Sequence, residues 1–314
     1  MLKVGVQSAC WYSMNDPLGS FKRIKECGFE SIDFNIDHYM STGKLVKDGI
    51  YPTLFDKSIE EILAFFAPLK EASEQTGVEI GQMHAPFPVW FKDMDEINDH
   101  IVMALDKCFA VCEYLKCPAI VVHPVARSTK EKEWDTNLAI YRRLIPVIKK
   151  YKGVKICLEN LFGRRPGRII EGRLSNAADA CRMLDILNGE SGGDYFGFCL
   201  DVGHANLTGR SIKEYVKELG KRLTILHIHD NNGLEDLHMI PYSYLSTGAS
   251  HVCDWQGFVE GLKEIGYEGV LAFETFRIFG AYPTPCHDAA LRLISSVGHY
   301  WASCIDDPSW PTQK

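Results

Sequence analysis

Phe198-Cys-Leu-Asp201-Val-Gly-His204-Ala-Asn206 is the stretch around which the rest of the chain falls into order. An apolar run from Tyr195 to Leu200 stops abruptly at Asp201, and an imidazole follows three residues later. A run this short, ended by a charge and a glycine, has the pattern of a buried parallel strand leading into a loop. Such a strand presents its last polar residue at its carboxyl end, where α/β sheets hold their chemistry. One Asp and one His also serve as helix caps, so the stretch carries weight only because its pattern recurs.

It recurs throughout. Short apolar runs at Val4 to Val6, Ser31 to Phe34, Val78 to Met83, Ala119 to Val122, Val154 to Leu158, Leu223 to Leu226 and Val270 to Phe273 alternate with segments of helical periodicity. Gly28 and Gly77 stop two of the helices, and Ser58 with Glu61 has the spacing of a capping box. The connection through Asp37, His38 and Tyr51 is long enough to be a lid or binding loop. From strand three onward each run ends in a polar residue: His84, His123, Glu159, Asp201, His227 and Glu274. A doubly wound sheet gives no reason for that regularity, whereas a barrel gathers all strand ends at one mouth. The expected fold is a single (β/α)8 barrel over residues 1–314 with a short polar tail at 305–314, in a chain modestly longer than the about 250 residues usual for it.

Composition sets the outer limits. A formal charge of -7 argues against a nucleic-acid backbone as main partner. Eleven cysteines, with no CxxC pair, fit small buried hydrophobes in a reducing compartment. No leader pattern and no membrane-length apolar window is present, so the expectation is a cytoplasmic protein with a small-molecule substrate and neither membrane nor nucleic-acid partner; homo-oligomerisation stays open. Carboxylates and imidazoles without thiolate partners suit a divalent ion such as Mn²⁺, Mg²⁺, Zn²⁺ or Co²⁺.

His84-Ala-Pro, Val122-His123-Pro124, Leu158-Glu159-Asn160, Asp201-Val-Gly-His204-Ala-Asn206, His227-Ile-His-Asp230 and Phe273-Glu274-Thr together give the chain its resemblance to the xylose isomerase-like superfamily. That superfamily takes in sugar phosphate isomerases and epimerases, ketose 3-epimerases, inosose dehydratases and apurinic/apyrimidinic endonucleases. The resemblance implies one divalent metal on Glu159, Asp201, His227 and Glu274, with His229 as the second choice for the histidine. It implies Glu159 and Glu274 as the proton-transferring pair, and His204, Asn206, His84 and His123 as substrate contacts.

The endonucleases hold three zinc ions, and their ligand pattern also finds matches here, adding His84, His123, His204, Asp236 and His238 to the central four. Sugar-converting relatives often keep the same histidines, so this match discriminates poorly. The acidic charge and the lack of a basic stripe with interleaved aromatics favour sugar chemistry. The expected activity is therefore metal-dependent isomerisation or epimerisation of a ketose or sugar phosphate through an enediolate, with the endonuclease-like phosphoesterase and the inosose dehydratase as alternatives. Trp11, Trp90 and Phe91 are candidates for an apolar wall. Arg164, Arg165, Arg168 and Arg173 lie in a loop from Leu161 to Arg173, either solvated or clamping a phosphate or carboxylate.

Overall fold

The computed structural model describes residues 1–127, 129–248 and 251–311. Among the described residues ten strands form, β1 (Val4–Gln7), β2 (Ser31–Phe34), β3 (Glu79–His84), β4 (Ala119–Val121), β5 (Lys155–Glu159), β6 (Phe162–Arg165), β7 (Arg168–Glu171), β8 (Phe196–Asp201), β9 (Leu223–His227) and β10 (Leu271–Phe273). Eight of them make one parallel sheet in the order β10-β1-β2-β3-β4-β5-β8-β9. A bridge between Ile228 and Phe273 joins its two ends, with Ile228 N donating to Ala272 O and Glu274 N to Ile228 O, both at 2.9 Å. The sheet thus closes into the barrel that the recurring strand pattern predicts. The last three residues of the expected polar tail, 312–314, lie outside the described residues.

Alternation along each strand builds the barrel in layers. The inward residues Val121, Cys157, Cys199 and Ile225, with Ala119, form a separate buried cluster inside the ring. One step further along the same faces come His123, Glu159, Asp201 and His227. Small side chains therefore fill the floor, and polar ones crown it. The outward faces pack against the surrounding helices in a second, larger core that contains Phe198, Leu200, Ile156 and Leu158.

Local signals behave as the sequence predicts at several helix ends. Ser58 and Glu61 form a reciprocal capping box on the helix Ile59–Thr76, and Gly77 ends it in the left-handed conformation at φ 74°. Pro146 is accommodated inside the helix Lys130–Ile148. The long connection after β2 folds into short helices, Ile36–Tyr39, Thr42–Asp48 and Leu54–Asp56.

The stretch 161–173, expected as a loop, is instead an antiparallel hairpin of β6 and β7, in which Arg165 faces Arg168 across the turn. Its base is tied by Leu161 N donating to Arg173 O at 2.8 Å. Gly172 packs against the Leu161 and Phe162 backbone, where a Cβ would collide. The physical reason is local: Pro166-Gly167 makes the turn, with Gly167 at φ 75°, and Ile169-Ile170 supplies strand propensity to the return leg.

Candidate functional site

Four neighbouring strands, β5, β8, β9 and β10, carry Glu159, Asp201, His227 and Glu274 at or just beyond their carboxyl ends. Nδ1 of His227 lies 3.5 Å from Glu159 Oε1 and 3.5 Å from Glu274 Oε2. Its other nitrogen, Nε2, lies 3.1 Å from Asp33 Oδ2 at the end of β2. Gln82 Nε2 donates to the same Asp33 oxygen at 3.1 Å, and to Leu226 O. Gln7, ending β1, donates to Glu274 Oε1 at 2.5 Å. Asp201 is fixed by Asn160, whose amide both accepts from Asp201 N and donates to Asp201 O, each at 2.8 Å.

Two further groups flank this arc. On one side His84 Nε2 lies 3.1 Å from His123 Nε2, which in turn sits 2.7 Å from Glu159 Oε2. On the other, His204 Nε2 and His238 Nε2 approach Asp236 Oδ2 at 3.6 and 3.2 Å, and His229 Nε2 approaches Asp201 Oδ1 at 3.1 Å. The His229 ring stacks on His238 at 3.9 Å and occupies the place where a side chain on residue 203 would stand, so Gly203 is required there. Asp201 also caps the helix Val202–Leu207 by accepting from His204 N.

Charge in the cluster is set by competition between burial and neighbours. Burial pushes Glu159 up, but His123, His227 and His204 outweigh it and hold the carboxyl well below its usual range. Burial disfavours charge on His204 too, yet Asp201, Asp236 and Glu159 raise it well above an ordinary histidine. His227 is raised against its burial as well, by Cys199, Glu274, Glu159 and Asp33. At His123 burial wins, and its value is lowered despite Glu159.

All nine of the residues matched to metal ligands gather at the barrel mouth, in groups whose donor atoms lie within 4.8 Å of one another. Asp201, His227 and Glu274 form one such group, Glu159 approaches it through His227 Nδ1 at 3.5 Å, and carboxylates with an imidazole fit a divalent cation. His227 Nδ1 supplies the structural test: it is buried, makes no hydrogen bond, and faces two carboxylates. Carboxylates gathered this closely repel one another, and a divalent cation would relieve that.

A cavity of about 710 Å³ opens over the cluster, bordered by His84, His123, Glu159, His204, Asp236, His238 and Glu274. Its apolar wall differs from the expected one. Trp11 is buried in the core at 6% exposure, its Nε1 donating to Gln7 O, and does not border the cavity. Trp90 packs under Arg127 instead. Phe87, Phe162 and Phe276 form the wall, and Asp37 and His38 from the connection after β2 join the rim. Asn206 also lies elsewhere: its amide donates to Asn231 Oδ1 at 2.9 Å, and the residue borders a second cleft beside the hairpin. Arg164 is exposed and stacks over Phe162, whereas Arg173 borders the mouth. Gln7 carries neither a charge nor an imidazole, so a pattern of titratable strand ends does not include it; its position ending β1, beside Asp33 one residue short of the end of β2, is the signal that marks it.

Residues 21–294 match the xylose isomerase-like TIM barrel family. An uncharacterized protein of Methanocaldococcus jannaschii is 29% identical over 223 residues, 67% of this chain and 69% of that one. The inosose isomerase of Bacillus subtilis is 27% identical over 199 residues, 60% of this chain and 65% of its own length. Among solved structures, that of a D-tagatose 3-epimerase-like protein is similar in fold with a TM-score of 0.69 at 20% identity, covering 97% of this chain and 98% of that one.

Proposed function

The chain belongs to the xylose isomerase-like TIM barrel family, and from that premise we propose that it is an isomerase or epimerase of a hydroxy-ketone sugar. The observation that carries this reading is the approach of Glu159 and Glu274, three strands apart around the ring, to the same nitrogen of His227 beneath a cavity of sugar size. Two carboxylates so placed can address one substrate carbon from different directions. One removes the carbon-bound proton and leaves an enediolate; the other returns a proton to the neighbouring carbon or to the other face. Glu159 is held ionised by its histidines and so carries no proton of its own. Glu274 is oriented by the Gln7 amide. A divalent cation on Glu159, Asp201, His227 and Glu274 would polarise the substrate carbonyl when bound.

The likeness to an inosose isomerase supports a polyol-derived ketone as well as a linear ketose. Eleven free cysteines and the absence, among the described residues, of a helix long and apolar enough to cross a membrane support a cytoplasmic setting with a small sugar as partner. A second reading, a polynuclear metal phosphoesterase, is favoured by the His84–His123–Glu159 and His204–His229–Asp236–His238 groups. Dehydration shares the first proton removal and ends in loss of a hydroxyl.

Turnover in D₂O tests the proposal. Deuterium should enter the product at the carbon whose configuration or oxidation level changes, and Glu159→Gln or Glu274→Gln should lower both labelling and kcat by about 10²–10⁴-fold. Metal content is measured on each variant, because a lost ion imitates a lost base. Near three metal ions per chain with cleavage of abasic DNA, and no label in any ketose, would establish the phosphoesterase instead.

A further inference from the structure

Arg173 stands at the root of the hairpin, where the chain returns to the barrel. Its backbone is held on both sides: Arg173 O accepts from Leu161 N at 2.8 Å, and Leu174 O takes the Tyr215 hydroxyl. The side chain therefore starts from a fixed point on the rim. It borders the mouth beside Glu159, Phe162 and His204, and among the described residues it is the one arginine or lysine that does so.

Its hydrogen bonding is incomplete. A guanidinium carries a fork of N–H donors and accepts nothing. One of them, on Nη1, goes to Phe162 O at 3.1 Å, while Nε is buried with no partner. Burial lowers the Arg173 pKa, and the charges of Glu133 and Glu159 act against that. Both carboxylates are bonded elsewhere: Glu133 accepts from Arg127 N at 3.1 Å, and Glu159 meets His123 at 2.7 Å. Neither pairs with Arg173 among the described residues. Buried polar groups of folded proteins are rarely left unbonded, so spare donors in the wall of a cavity point to a ligand.

Two spaces meet this side chain. Behind it, toward Glu133 and Asn137, a cleft of about 50 Å³ has room for water alone. In front lies the mouth, of about 710 Å³. A larger partner for the fork comes from the mouth.

We propose that Arg173 is a substrate-binding residue, its free N–H groups holding oxygens of the sugar on the Glu159 side of the reacting carbon. The inference rests on the sugar reading and deepens it. Ionised carboxylates in the mouth only accept hydrogen bonds, so they serve the hydroxyl hydrogens of a sugar and leave its lone pairs unserved. A guanidinium supplies the missing donors side by side, in a spacing that takes two neighbouring oxygens at once.

Incubation in D₂O with Mn²⁺ and D-fructose, D-tagatose or L-ribulose first shows which ketose exchanges a carbon-bound hydrogen. For that ketose Arg173→Met, which keeps the stem and removes the donors, should raise KM by about 10–100-fold with kcat little changed, because the contact is made alike in the bound sugar and in the transition state. Arg173→Lys should return part of the loss. A KM for Arg173→Met within about twofold of the parent's, or a raised KM with a lowered Tm that Arg173→Lys does not restore, would overturn the assignment and leave the sugar reading standing on the label. If none of these ketoses takes up deuterium, calorimetric titration with the same sugars decides. Binding that Arg173→Met abolishes and Arg173→Lys partly restores keeps the fork and sinks the isomerase reading; binding that survives Arg173→Met, or no binding to the parent, overturns the fork.

Discussion

His227 Nε2 and Asp33 Oδ2 meet at 3.1 Å inside the barrel, both residues 1% exposed. With Nε2 on the Asp33 side, Nδ1 faces Glu159 and Glu274, each at 3.5 Å. A carboxylate behind a ligating imidazole sets its tautomer and raises its basicity. Asp33→Ala should therefore weaken Mn²⁺ binding by about 10–100-fold, with Asp33→Asn weakening it less. Calorimetric titration of metal-stripped protein measures this, and unchanged affinity in a folded Asp33→Ala variant would remove Asp33 from the metal's surroundings.

Stability of the metal-free protein should peak at mildly acidic pH. Glu159 and Asp201 are depressed in the folded state, so their contribution is complete above the unfolded carboxylate values and is lost as pH falls through the folded ones. His204 and His227 are raised, so theirs is complete below the unfolded histidine value and is lost as pH rises through the folded ones. The two windows overlap at about pH 5–6. Melting curves between acid and alkaline pH should show Tm falling on both sides. Saturating Mn²⁺ should shrink the alkaline fall by the share His227 carries, because it binds neutral imidazole. A flat alkaline limb without metal would contradict the charge assignment.

Gly203→Ala places a methyl group inside the His229 ring and forces that imidazole off Asp201 and His238. The expected loss is about 1–3 kcal/mol of stability, the range for overpacking a filled site. Urea denaturation reads it, and a variant as stable as the parent would show that His229 has room to move.

Trp11→Ala should act on stability rather than on substrate affinity. Its side chain fills the core at 6% exposure and bonds a backbone oxygen, so truncation is expected to remove about 3–5 kcal/mol. Denaturant midpoints and KM on the same variant separate the two roles; a raised KM at unchanged stability would return Trp11 to the substrate wall.

The barrel was legible because short, mostly apolar runs recur between helical segments and, from the third onward, each is followed by a polar residue. The polar crown was legible for the same reason, since the last inward residue of a closed barrel can only face the mouth. Where the reading failed, spatial neighbours decided the outcome. A tryptophan after a strand reads alike whether its indole faces solvent or bonds Gln7 O, and Asn206 reads as free until Asn231 is seen to hold it. The hairpin was hidden by its arginines and glycines, although Pro166-Gly167 before Ile169-Ile170 is a turn followed by strand formers. His227 and His229 stay indistinguishable on paper. In the fold the first stands at 3.5 Å from both glutamates, whereas the second turns toward Asp201 and Asp236.

The hairpin leaves and rejoins the barrel where Leu161 bonds Arg173, immediately after Asn160 has pinned itself to Asp201. The segment between these ties is a removable insert whose remaining holds on the barrel are side-chain ones, Glu171 to Lys130 and Arg210 and Phe162 to His204. A lineage can redraft it, lengthening a leg or trading an arginine for an apolar residue, without moving the carboxylate that precedes it by two positions. A single backbone hydrogen bond, Leu161 N to Arg173 O, marks the border between the part free to vary and the strand that carries Glu159.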